Sequence, residues 1–104
     1  MEYTVHLDAR VGALARDEDL SDRLLTALEE LESRQQLAAP VTSQNTATDV
    51  VGATFCVTAL DADDAAVLAT SLFQEALQGI GVPTPAHLAS LQVEEDHEEA
   101  AALG

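Results

Sequence analysis

The sequence predicts an α+β fold with the element order β-α-β-β-α-β: a four-stranded antiparallel sheet, in the order 4-1-3-2, with two helices on one face. Three observations carry this. Residues 2–10, EYTVHLDAR, alternate apolar and polar, the period-two signature of a half-buried strand. Two later stretches place apolar residues at helical spacing along one stripe each. Both follow strands at similar spacing, a weak internal pseudo-repeat, and right-handed strand–helix–strand crossovers bring both helices to the same side of the sheet.

The first strand puts Tyr3, Val5, Leu7 and Ala9 on one face and Thr4, His6, Asp8 and Arg10 on the other. VGALARD leads into a helix starting at about residues 18–21, where Asp17, Asp19 and Ser21 compete for the N-cap. Its stripe is Leu20, Leu24, Ala27, Leu28 and Leu31, and Asp19–Arg23 and Glu30–Arg34 are spaced as i, i+4 ion pairs. Pro40 marks the exit. VTSQNTAT reads as an edge strand running into a turn near Asn45–Thr48. The return strand, residues 49–60, buries Val51, Ala53, Phe55, Val57 and Ala59 and turns Val50, Gly52, Thr54, Cys56, Thr58 and Leu60 the other way.

Asp61 or Asp63 is placed to cap the second helix, where a carboxylate suits the positive end of the dipole. Its stripe runs through Ala65, Leu68, Ala69, Leu72, Phe73, Ala76, Leu77 and Ile80, and Gly79, Gly81, Pro83 and Pro85 end it. AHLASLQVE supplies a last strand with Ala89, Leu91 and Val93 inward. Residues 1–94 are therefore expected to form one domain, and residues 95–104 an acidic flexible tail.

This arrangement resembles the ferredoxin-like fold, which also houses ACT-type regulatory domains. The resemblance is topological, covers nearly the whole chain and carries no site residue across. In that strand order the first and third strands are the central pair, so His6 and Cys56 emerge on the uncovered side. Thr4, Asp8, Thr54, Thr58, Ser90 and Gln92 are expected around them. These eight residues are the candidates for a binding or dimer face.

Nineteen acidic residues against four arginines and no lysine give a net charge of −15. That balance excludes nucleic-acid binding through phosphates, which needs clustered cations, and disfavours an anionic membrane surface. A basic protein partner fits it. The small, near-neutral side chains of the uncovered face stand out against so much negative charge. The single cysteine excludes an internal disulfide. With no long apolar run and no basic-then-apolar leader, a soluble cytoplasmic protein is expected.

Catalytic signatures are weak. His6 and Cys56 have the residue types of a base and a thiol nucleophile, but no glycine elbow accompanies them. His97 among the tail carboxylates and the DADD run at 61–64 lack the ligand spacing of a metal site. His87 reads as a surface residue. Tyr3, Phe55 and Phe73, the only aromatics, all fall on core faces, which argues against a large aromatic-lined cavity.

The expected function is a non-enzymatic interaction or regulatory module, homodimeric through the open sheet face or an edge strand, with no catalytic residue, metal or cofactor. The alternatives are an ACT-like sensor taking a small ligand at the dimer seam, an acidic mimic of nucleic acid that occupies a basic protein, and a small cofactor-free enzyme. For the face-to-face dimer, Cys56→Arg or Thr58→Arg is expected to halve the solution mass measured by light scattering. An unchanged mass removes that mode of association.

Overall fold

The computed structural model describes residues 1–95, so His97 and all but the first residue of the expected tail lie outside the described residues. The chain runs β1 (Glu2–Arg10), a 3-10 turn (Gly12–Arg16), α1 (Leu20–Ser33), β2 (Ala38–Asn45), β3 (Val50–Thr58), α2 (Ala62–Gly79) and β4 (His87–Glu95). The strands form one antiparallel sheet in the order β2-β3-β1-β4, which is the expected ferredoxin-like α+β fold.

Both helices lie on one side because only that side of the sheet is apolar. Tyr3, Val5, Leu7 and Ala9 of β1 and Val51, Ala53, Phe55 and Val57 of β3 are all buried. Against them pack Leu20, Leu24, Leu28 and Leu31 of α1 and Ala65, Ala69, Leu72, Phe73, Ala76 and Leu77 of α2. Burying a Val, Leu or Phe side chain contributes roughly 1.5–3 kcal/mol. All three aromatics sit in this core, as their positions required.

α1 begins at Leu20, within the expected range, and Asp19, one of the three candidates, is its N-cap residue. Asp19 has helical backbone angles and its side chain makes no cap bond. Asp17 instead closes the turn that precedes the helix: its Oδ1 accepts the Asp19 backbone N–H at 3.0 Å, and its Oδ2 accepts from Arg23 Nη1 at 3.1 Å. Arg23 therefore pairs with Asp17, not Asp19, and its other terminal nitrogen donates to the Ile80 carbonyl, joining α1 to the end of α2. Asp61 caps α2 as anticipated, accepting the Asp64 N–H at 2.9 Å.

The two helices end alike. The Gln36 N–H reaches the Leu31 carbonyl at 3.1 Å, and the Val82 N–H reaches the Leu77 carbonyl at 3.0 Å. Each bond spans a residue in the left-handed region, Gln35 (φ 62°) and Gly81 (φ 89°), the geometry that satisfies orphan carbonyls at a helix end. The chain then turns Leu37 and Val82 back into the core.

Both edge strands depart from the sequence reading. β2 starts at Ala38 and contains Pro40, which an edge strand tolerates; its register slips between Ala38 and Val41. In β4 the register slips where Asp8 pairs with Ser90 but Ala9 pairs with Leu88. Ala89 is the extra residue of a bulge and is exposed, so Leu88 takes the inward place assigned to it. Leu91 does share the helix-covered face with Leu7, yet it stays 40% exposed at the edge. Among the described residues no helix is long and apolar enough to cross a membrane.

Two outcomes test this core. Phe73→Ala is expected to lower unfolding stability by about 3–5 kcal/mol in urea titrations. The Tyr3 hydroxyl is held above its ordinary range, first by burial and then by the carboxylates of Glu95, Asp61 and Asp64. The unfolded chain therefore loses this proton first as pH rises, so stability is complete below about pH 10 and declines above it. Tyr3→Phe is expected to flatten that alkaline decline.

Candidate functional site

On the uncovered face, β1 and β3 place their polar side chains in facing pairs. Thr4 opposes Cys56, His6 opposes Thr54, Asp8 opposes Gly52, and Glu2 opposes Thr58. From the other side β4 sets Glu94 against Thr4, Gln92 against His6 and Ser90 against Asp8. All eight candidates thus lie on one surface. Gln92 and Thr58 are exposed at its margins, and the other six are half-buried.

The register decides who meets whom. His6 Nδ1 lies 2.6 Å from Thr54 Oγ1, and His6 Nε2 lies 3.0 Å from Asp8 Oδ2. The same oxygen, Asp8 Oδ2, accepts from Ser90 Oγ at 2.7 Å. An ionised carboxylate can only accept, so the neutral imidazole carries its hydrogen on Nε2, and Nδ1 accepts from the Thr54 hydroxyl. Asp8, His6 and Thr54 form a chain of acceptor, imidazole and hydroxyl. His6 and Asp8 remain 37% and 26% exposed at their side chains, so the group is open to a small molecule.

Cys56 is not part of this chain. Its Sγ lies 3.5 Å from Thr4 Oγ1, one facing pair further along the sheet. The base–thiol pairing considered from the sequence does not form, because antiparallel register gives His6 to Thr54 and Cys56 to Thr4. Cys56 and Thr58 also wall a cleft of about 540 Å³ at the β2 edge, with Leu37, Leu68 and Leu72 among its apolar lining. Its volume is within the range of small-molecule sites, and it contains no aromatic residue. Among the described residues no three His, Cys, Asp or Glu side chains converge as a metal site.

Two residues of the site were not singled out from sequence. Gly52 lies beneath the Asp8 carboxylate, and Ser43 of β2 flanks it from the other side. The available signal was a glycine in mid-strand, which often marks close approach of another group.

Ser90→Ala removes one of the two donors to Asp8 Oδ2 and is expected to cost about 1 kcal/mol of stability. Gln92→Ala, beside it but exposed, is expected to stay within about 0.5 kcal/mol. Urea titrations distinguish the two.

No family model matches the chain, and no curated protein does. Among solved structures it is similar to a "putative Antibiotic biosynthesis monooxygenase" from Chloroflexus aurantiacus J-10-fl. That match has 15% identity and a TM-score of 0.52, covering 92% of this chain and 93% of the other. It is also similar to the 5-chloro-2-hydroxyhydroquinone dehydrochlorinase of Burkholderia phenoliruptrix AC1100, solved with 2,5-dihydroxybenzoquinone, at 18% identity and a TM-score of 0.43, covering 92% and 93%. At such identity the likeness to the Chloroflexus protein establishes the fold. It also corrects the expectation of a non-enzymatic interaction or regulatory module: the scaffold read as an interaction module is matched by a chain named as an enzyme.

Proposed function

We propose that this chain is a small enzyme working by side-chain acid–base chemistry, with His6 as the base. The observation that carries this is the pair of contacts made by one imidazole: Nε2 on Asp8 Oδ2 at 3.0 Å and Nδ1 on Thr54 Oγ1 at 2.6 Å. The Asp8 carboxylate fixes the tautomer that leaves Nδ1 basic and stabilises the imidazolium once a proton arrives, without taking that proton itself. A substrate hydroxyl or activated C–H that displaces Thr54 from Nδ1 stands within proton-transfer reach.

The surroundings favour proton transfer over acyl transfer. A nucleophilic Thr54 needs N–H donors aimed at a developing oxyanion. Here β1 and β3 are the central strands, paired on both sides, so their backbone N–H groups are committed to the ladder. A phenol or an enolisable carbonyl asks less: its conjugate base spreads its own charge. Such a molecule can lay its apolar part toward the cleft beyond Cys56 and Thr58. A phenolate or enolate is also the electron-rich form that reacts with dioxygen, where this reading meets the name of the Chloroflexus protein.

A second copy of the chain belongs to the same proposal. A sheet face this open does not exclude water by itself, and a partner stacked on its small, near-neutral side chains would roof His6.

The test uses the full chain in deuterated buffer with a panel of substituted phenols, hydroquinones and 1,3-dicarbonyls, following ring or α-carbon deuterium incorporation by NMR. At least one compound is expected to exchange faster with the wild-type chain than in buffer, and His6→Gln to reduce that acceleration by about 10²–10³-fold. Equal rates for the wild type and His6→Gln across the panel overturn the reading.

A further inference from the structure

We infer that Gly52 is a positioning residue for His6, acting through Asp8: by having no side chain it leaves the seat in which the Asp8 carboxylate lies. This rests on the acid–base reading of His6 and deepens it.

A glycine inside a strand costs roughly 0.5–1 kcal/mol relative to alanine and packs nothing. The usual compensation is absent here, because the Gly52 φ is not in the left-handed region, whereas Gly12 and Gly81 are. Gly12, Gly79 and Gly81 have open space where a Cβ would stand. Gly52 does not. A Cβ there would fall under 3.0 Å from Asp8 Oδ1, at 3.0 Å from Ser43 Oγ and at 3.2 Å from the Leu7 carbonyl. The backbone carbonyl cannot retreat, so the group that must leave is the Asp8 carboxylate. Its departure breaks both bonds at Oδ2, to His6 Nε2 and to Ser90 Oγ.

A second departure from regular structure serves the same carboxylate. The bulge in β4 begins directly after the Asp8–Ser90 pair, and bulges re-aim neighbouring side chains. Ser90 Oγ is thereby left 2.7 Å from Asp8 Oδ2. Thus the glycine below, the bulge beside and the histidine two residues back on β1 all meet at one carboxylate. Once it is displaced, nothing holds the hydrogen of His6 on Nε2, and the base loses its fixed orientation. Small displacements of this kind cost catalysis about 10²-fold.

The test is Gly52→Ala in the full chain, read two ways. In proton–nitrogen NMR the wild-type chain is expected to show the ring-nitrogen resonances of a single Nε2–H tautomer for His6, lost to a tautomer mixture in Gly52→Ala while the amide spectrum of the helices is retained. In thermal unfolding Gly52→Ala is expected to lower Tm clearly in the wild-type background and little in an Asp8→Ala background, where the carboxylate is already gone. Should Gly52→Ala fail to fold, the Gly52→Ala/Asp8→Ala double variant is expected to fold. A retained single tautomer, an equal Tm loss in both backgrounds, or a double variant that also fails to fold overturns the inference. Neither readout depends on turnover. A silent deuterium-exchange panel together with these results therefore removes the acid–base reading and leaves the seat for Asp8 standing.

Discussion

One carboxylate oxygen organises the uncovered side of this protein. Asp8 Oδ2 accepts from the His6 imidazole on its own strand and from the Ser90 hydroxyl on β4. Both donors come from half-buried side chains, and a hydrogen bond of this sort contributes about 1 kcal/mol. Without that oxygen the imidazole is an ordinary surface histidine on a strand. With it, the ring has one orientation and one basic nitrogen, already matched by Thr54.

The opposite side of the sheet makes this possible. Among the described residues, twenty buried apolar ones from the sheet, both helices and the segments that follow them form a single core, leaving the outer face free of any packing duty. A face that carries no core can hold residues poorly suited to strands: an aspartate, a mid-strand glycine and a bulge. Strand propensity disfavours aspartate and glycine. Their convergence at one carboxylate is the departure from local consistency expected of a functional site.

Much of the architecture was legible because two periodicities were clean. The alternation in β1 and the stripe through Ala65, Ala69, Leu72, Phe73 and Leu77 leave one arrangement in which both apolar faces meet. The edges were less legible. Alternation through β4 assigned Ala89 inward, and the bulge reversed that because one extra residue shifts every side chain beyond it to the other face. Helical spacing offered Asp19 to Arg23, and the structure pairs Arg23 with Asp17, six residues back, instead. Which side chains share the uncovered face was readable in part, since alternation places His6, Asp8, Thr54 and Cys56 together but does not single out Gly52 or Ser43. Its wiring was not. Pairing depends on which residue stands opposite which across strands some fifty residues apart, and composition says nothing of that. The expected interaction module rested on a small, near-neutral face and the lack of a catalytic motif, while the feature favouring chemistry is a set of contacts at hydrogen-bond distance.

Neutron diffraction from crystals of the deuterium-exchanged chain, at neutral pH, locates the hydrogens on which this account depends. It predicts nuclear density for a deuteron on His6 Nε2 directed at Asp8 Oδ2, a bare Nδ1, and the Thr54 deuteron pointing to that nitrogen. A deuteron on Nδ1 with Nε2 bare, or an Asp8 carboxylate turned away from both His6 and Ser90, contradicts it.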